Sequence, residues 1–167
     1  MLFEAHHAAM FRFAYRMTGV LDAAEDIAQE CFLRAALRPA FDPERGSMRQ
    51  YLYGIVRNLA RQQQQANGRE VALEGGAEDE APWTDPVDAA ELAAAVQAAI
   101  STLPPLQREA IVLCEFEELS LADAAAIVEA DVGTVKSRLH RAREGLRSRL
   151  APYRKNARAP LSKGTNL

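Results

Sequence analysis

The sequence is short of the features that mark several protein classes. Only two cysteines occur, Cys31 and Cys114, far apart and outside any Cys-x-x-Cys or Cys/His spacing. Neither a disulfide framework nor a zinc site is supported. Each cysteine sits among apolar residues at helical spacing, and both are expected to be buried thiols. No run of roughly 18 apolar residues occurs, so no segment is expected to span or insert into a membrane. The first residues lack a basic segment followed by an apolar one, the layout of a secretory signal, and the chain is expected in the cytoplasm. Phosphate-binding glycine loops and nucleophile elbows are also absent. His6 and His7 are adjacent, so on a helix they project in different directions, unlike a metal-binding i, i+4 pair. The expectation is a protein that is not an enzyme, with no catalytic residue, no metal and no cofactor. Long β-branched runs are scarce while Ala is abundant, which favours helix over sheet.

What remains is a chain of 167 residues, 49% of them hydrophobic, enough to build a core. Its net charge of −3 conceals a strong asymmetry. Residues 1–69 carry 9 basic and 7 acidic side chains; residues 70–130 carry 1 basic and 14 acidic; residues 131–167 carry 10 basic and 2 acidic. A basic end behind an acidic middle points to nucleic acid at one end and a different partner elsewhere.

The first third reads as helices. Met10, Phe11, Phe13, Ala14 and Met17 make an apolar stripe that ends near Gly19. A second stripe, Ala24, Ile27, Ala28, Cys31 and Ala35, starts from about Asp22 and stops at Pro39. Its other face carries Asp22, Glu25, Asp26, Gln29 and Glu30. Residues 41–47 read as a loop, and Ser47 is placed to cap a third helix through Tyr51, Leu52, Ile55, Val56 and Leu59. That helix is expected to fade in Gln62–Gln65.

Residues 67–87 combine Asn67-Gly68, Gly75-Gly76, Pro82 and Pro86 with Glu74, Glu78, Asp79, Glu80 and Asp85, and read as an acidic linker. Helix resumes from about Asp88 to Ile100. After Leu103-Pro104-Pro105 comes a helix with Ile111, Val112 and Cys114. Ser120 with Asp123 resembles a capping box for a short helix ending near Glu129. The last helix follows Asp131. From Pro152 onward the basic tail is expected to lack order. The expected architecture is all-α: a helical domain over 1–66, a linker over 67–87, a second helical domain over 88–151 and a tail over 152–167. Mobility between the two domains is the default expectation.

The short helix, three-residue turn and longer basic helix make a helix-turn-helix pattern. On the last helix Val135, Leu139, Ala142, Leu146 and Leu150 recur at steps of four, three, four and four. Away from that stripe lie Thr134, Lys136, Ser137, Arg138, Arg141 and Arg143. Such a face fits a major groove, with N-terminal side chains at base edges and flanking cations on phosphates. Periodicity alone equally allows a solvated basic face.

The run Val132-Gly-Thr-Val-Lys-Ser-Arg-Leu-His-Arg-Ala-Arg143 resembles the recognition helix of region 4 in extracytoplasmic-function sigma factors. Leu103-Pro-Pro-Leu-Gln-Arg-Glu-Ala110 and Leu119-Ser120 resemble the opening of the same domain. The resemblance implies that Thr134, Lys136, Ser137, Arg138, Arg141 and Arg143 meet the −35 element of promoter DNA. This chain has Glu129 where the family usually has a turn glycine, and Ala124 where Ile is frequent.

The run from Asp22 to Ala35, Asp-Ala-Ala-Glu-Asp-Ile-Ala-Gln-Glu-Cys-Phe-Leu-Arg-Ala, resembles sigma region 2.2, which docks on the β′ clamp helices of core RNA polymerase. The resemblance makes Asp22, Glu25, Asp26, Gln29 and Glu30 docking residues, and an acidic face suits a basic coiled coil. Phe41-Asp-Pro-Glu-Arg-Gly-Ser-Met-Arg-Gln-Tyr-Leu52 and Arg57-Asn-Leu-Ala60 resemble the segments that hold the single-stranded −10 element. Aromatic and basic groups suit unpaired bases, and the implied contacts are Phe41, Arg45, Arg49, Tyr51, Tyr53 and Asn58. Core packing is the other reading for Phe41 and Tyr51. Departures fall here too: Tyr51 replaces a frequent Trp, Gln62 a frequent Asp, and Gln63, Gln64 and Gln65 replace basic residues. The linker either follows the basic channel of polymerase or simply tethers. The implied function is promoter-specific initiation, and the implied partners are core polymerase, promoter DNA and an anti-sigma factor. A helix-turn-helix regulator acting without polymerase is the alternative; it leaves residues 22–60 without a task.

Overall fold

Apolar residues at three- and four-residue steps become eight α-helices, and no strand, among the described residues of the computed structural model, which are 1–37, 41–74 and 89–156. Helix α1 (Leu2–Thr18) buries Met10, Phe13, Ala14 and Met17 completely. It stops at Gly19, whose φ of 74° is left-handed and whose N–H donates to the Tyr15 carbonyl at 2.7 Å. Helix α2 (Leu21–Leu37) buries the small residues Ala23, Ala24 and Ala28 with Ile27 and Cys31, which lets α1 lie close against it. Burial pushes the Cys31 thiol up to about 12. Cys114 is only half-buried, so the expectation of two buried thiols holds fully for Cys31 alone.

Residues 43–45 form a single 3-10 turn whose N-cap is Asp42. Helix α3 (Met48–Glu74) then begins with a reciprocal cap. The Ser47 N–H donates to Gln50 Oε1 at 2.8 Å, and the Gln50 N–H donates to Ser47 Oγ at 3.2 Å. Gly46 before it has φ 148°, and a Cβ there would collide with the Gln50 amide. Leu52, Tyr53, Val56, Leu59 and Ala60 complete the first core. The expected fading at Gln62–Gln65 does not occur, and α3 runs through the first part of the expected linker. Gln, Ala, Arg, Glu and Leu are good helix formers, and one Gly costs only about 1 kcal/mol. Gln64 also anchors the helix, its amide donating to the Met17 carbonyl at 2.7 Å. Linker residues 75–87 lie outside the described residues.

The second unit comprises α4 (Ala89–Ser101), α5 (Pro105–Ile111), α6 (Leu121–Val128) and α7 (Val132–Arg149). Pro105 occupies the first turn of α5, where no N–H is required. A π-helical turn over Val112–Phe116 extends α5, and sequence periodicity gave no sign of it. Val135, Leu139, Ala142 and Leu146 of α7 pack on α5, with Ala124, Ala125, Ile127 and Val128 of α6 beside them. Helix α8 (Ala151–Asn156) follows directly, so the tail keeps order through 156. Pro152 is its second residue, a position where proline breaks nothing. Residues 157–167 lie outside the described residues.

The two units do not stand apart as the default for linked domains would have it. Helix α3 packs on α6, and α1 packs on α4 and the π-turn, so one apolar cluster runs through both. The turn of the helix-turn-helix is tight despite lacking glycine, because Glu129 itself takes φ 55°, ψ 45°. An L-residue held there is strained by about 1–2 kcal/mol. Glu129→Gly should therefore match or exceed the parent in stability by up to about 1 kcal/mol. Glu129→Val should fall about 1–2 kcal/mol below the glycine variant in urea unfolding, because β-branching opposes this conformation.

Candidate nucleic-acid and polymerase interfaces

Helix α7 owes its start to Asp131. Its carboxylate accepts from the Thr134 N–H and from the Thr134 hydroxyl, each at 2.8 Å. These hydrogen bonds hold the Asp131 carboxyl below the usual carboxylate range. They also fix Thr134 at the edge of the helix face. The six residues expected on that face divide three ways. Ser137 and Arg141 are exposed on the side opposite Val135 and Leu139, Thr134 and Arg138 are partly buried along one edge, and Lys136 and Arg143 flank the other. Lys136, Ser137, His140 and Arg141 line a shallow depression of about 400 Å³. Arg143 is engaged by Glu115 of the π-turn, its Nε donating at 2.8 Å. The outer face is thus Ser137, His140 and Arg141. His140 carries no weight in a count of lysines and arginines, and along the helix it lies 3.5 Å from Glu144.

The residues of the loop and α3 also divide. Phe41 and Tyr51 lie ring to ring at 5.7 Å and, with Arg45 and Asn58, line a cleft of about 530 Å³. Both rings keep partial exposure, so they are neither core nor free surface. The far wall of the cleft is α6, through Ala126, Ile127 and Glu129. Tyr53 departs from the expected pattern. It is fully buried, stacks edge-on with Phe13 at 5.1 Å, and donates its hydroxyl to Glu117 at 2.7 Å. Burial first, and that hydrogen bond second, push the phenol up to about 12. In this arrangement no base can reach its ring. Arg49 is drawn into the same contact, donating to the Tyr53 hydroxyl at 3.1 Å and the Glu117 carbonyl at 3.2 Å.

On α2, Asp22, Asp26 and Gln29 are exposed and Glu30 is partly so. Gln29 donates to Glu25 at 3.2 Å and Arg34 donates to Glu30 at 2.7 Å. Glu25 sits toward α1, 3.8 Å from His7. At 100° per residue, Leu33 and Leu37 continue the stripe of Asp22, Asp26 and Glu30. They are 55% and 78% exposed, so the face is acidic at its start and apolar at its end. Their signal was available in the sequence, as leucines outside the buried stripe. Among the described residues, no cluster of His, Cys, Asp and Glu could hold a metal ion, and no helix is long and apolar enough to cross a membrane.

Two matches divide the chain at the same place as the fold. Residues 2–70 match the sigma-70 region 2 family, and residues 93–146 match the sigma-70 region 4 family. The chain is 36% identical to the ECF RNA polymerase sigma factor SigW of Bacillus subtilis, covering 84% of this chain and 82% of that protein. It is also 36% identical to the ECF RNA polymerase sigma factor SigE of Mycolicibacterium smegmatis, covering 91% of this chain but only 61% of that protein. The fold is similar to that of the sigma factor RpoE in its complex with the anti-sigma factor NepR from Bartonella quintana. The TM-score is 0.74 at 30% identity, covering 89% of this chain and 94% of that one.

The cap on α7 has a pH signature. A carboxyl lowered on folding contributes stability above its unfolded pKa, and that contribution is lost as pH falls through the lower folded value. Asp131→Asn keeps an accepting oxygen but cannot titrate. Its thermal stability should therefore decline less than the parent's across the acid range below the usual carboxylate value. Parallel acid profiles followed by circular dichroism would remove Asp131 as a contributor.

Proposed function

This chain belongs to the extracytoplasmic-function sigma factors of the sigma-70 family, and from that premise we propose that it docks on core RNA polymerase and directs promoter-specific initiation of transcription. The observation that carries the proposal is the pairing in one chain of a region 2 unit presenting an acidic helix face with a region 4 unit presenting a basic one. Ser137 and Arg141 read the −35 duplex in the major groove, with Lys136 and Arg138 on flanking phosphates. Thr134 orients the helix start through its bond to Asp131. Phe41, Arg45, Tyr51 and Asn58 take the unpaired −10 strand, the rings stacking on bases and Arg45 meeting phosphate. Arg49 and Tyr53 join them only once their contacts with Glu117 are released.

Asp22, Asp26, Gln29 and Glu30 dock on the clamp helices of polymerase, and Leu33 and Leu37 add an apolar anchor beyond them. Glu25 supports that face from the side. RpoE, the structural relative, is bound by the anti-sigma factor NepR, and an anti-sigma partner is proposed for this chain as well. The reading places the protein in the cytoplasm with polymerase and assigns it no reaction of its own. A helix-turn-helix regulator working without polymerase would use residues 93–146 and leave the region 2 unit idle.

Run-off transcription with core polymerase over a genomic promoter library tests the proposal. Initiation at a distinct promoter set is expected, and its complete absence would remove the reading. The docking face has its own measurement. Asp26→Arg with Glu30→Arg should weaken core polymerase binding at least about tenfold at moderate salt, mostly by slowing association. Leu37→Asp should weaken it chiefly by faster dissociation. Equal affinity for all three proteins would take the docking assignment away from α2.

A further inference from the structure

One edge of α7 carries a row of basic side chains. Lys136, His140, Arg143 and Arg147 recur at steps of four, three and four, and all four are exposed. They line one side of the helix over about 16 Å, beside the outer face of Ser137 and Arg141. A row in that place meets a phosphate backbone when the helix enters a major groove. Among the described residues, Lys136 and Arg147 have no carboxylate within ion-pair distance, whereas Arg143 does. Its Nε donates to Glu115 Oε1 at 2.8 Å, and its Nη2 donates to the same oxygen.

Glu115 reaches α7 because the backbone brings it there. It lies in the π-turn over Val112–Phe116, closed by the Glu117 N–H on the Val112 carbonyl at 3.0 Å. Val112 and Leu113 of the same turn are fully buried, which anchors its base in the core shared by α5 and α7. Glu115 itself points outward and stays 42% exposed, against 54% for Arg143. An ion pair so open to water contributes little to folding. Its consequence lies in what Arg143 is free to bind.

We propose that Glu115 withholds Arg143 from duplex DNA and thereby sets the strength of the sequence-independent part of binding by α7. A guanidinium bonded to a carboxylate neutralises no phosphate, since the pair carries no net charge. If Arg143 swings outward instead, the bare Glu115 carboxylate is left beside the backbone and repels it. In either arrangement the pair adds nothing to the counterion release that drives backbone binding. The affinity of the helix then leans on the base-facing residues Ser137 and Arg141 and on the cations without a partner. Glu115 is thus a positioning residue that acts through Arg143, 28 positions away in the sequence. The inference rests on the major-groove reading of α7.

The full chain is titrated by anisotropy against two fluorescent duplexes of unrelated sequence, over about 50 to 200 mM salt. Glu115→Gln keeps the shape of the side chain and removes its charge, and helical circular dichroism should match the parent. Its affinity should rise about five- to tenfold near 0.1 M salt, with a log–log salt slope steeper by about 0.9, the value of one added phosphate contact. The gain should be equal for both duplexes, as a backbone contact requires. Glu115→Gln in an Arg143→Ala background should steepen the slope far less, because the released guanidinium is missing. Equal steepening in both backgrounds would make Glu115 a remote charge and overturn the proposal. An unchanged slope, or weaker binding by Glu115→Gln, would overturn it too, the latter by showing that Glu115 braces Arg143 against DNA. A parent without salt-dependent duplex binding would remove the reading of α7 and this proposal together.

Discussion

A carboxylate without access to water has to be met by donors, and the arrangement of the molecule follows from how Glu109 is met. It stands on α5, which belongs to the second unit, while both of its guanidinium partners stand on α3 of the first. Removing one partner from a pair of this kind costs about 3–5 kcal/mol, because the other charge is left in place. The register of α5 against α3 is therefore held by a contact that tolerates little displacement. Arg57 carries the constraint further. By meeting the last carbonyls of α6 it couples the cap of that helix to the same ion pair. Since α6 is the first helix of the helix-turn-helix, the orientation of α7 relative to the first unit descends from this one cluster.

The helix-turn-helix is itself assembled from local rules that do not depend on the cluster. Ser120 caps α6, Asp131 caps α7, and Glu129 takes the left-handed conformation that joins them. The π-turn before α6 inserts one extra residue per turn and brings Phe116 and Glu117 back toward α1 and α3. Arg16 lies over the Phe116 ring at 4.5 Å, and Arg108 reaches the Met17 carbonyl at 2.8 Å. The end of α1 is thus held by Gln64 of α3, Gln97 of α4, which donates to the Arg16 carbonyl at 3.3 Å, Arg108 of α5 and Phe116 of the π-turn together. The boundary thus combines an apolar interior shared by both units with polar and charged contacts around it.

Much of the fold was legible because it rests on nearest-neighbour chemistry. The apolar stripe of Met10 to Met17, the stop at Gly19, the Ser47 and Ser120 caps and the stripe of Val135 to Leu146 all lie where periodicity puts them. Helix α3 runs past Gln65, and α8 forms where a tail without order was expected from Pro152; in both places a weak breaker stood for a strong one. Among site residues, the acidic face of α2 and the exposed Ser137 and Arg141 follow from helical geometry. Tyr53 does not. Its alternation with Tyr51 suggests a neighbouring role, yet a shift of two residues on a helix turns one ring to the cleft and the other into the core. Nor could Glu109 and Glu117 be paired from the sequence, since their partners lie 48 to 64 residues away.

The sequence by itself determined the helical class, the two units, the caps and the sign of charge on each helix face. These depend on propensity, on a period of 3.6 residues and on hydrogen bonds spanning three or four positions. Only the tertiary structure decided that the units close on one another, that α3 gives five of its polar side chains, Arg49, Gln50, Tyr53, Arg57 and Arg61, to the second unit, and that Tyr53 is hidden. Those outcomes turn on desolvation. A buried carboxylate selects its partners by distance in space, and no local pattern records which arginine will reach it.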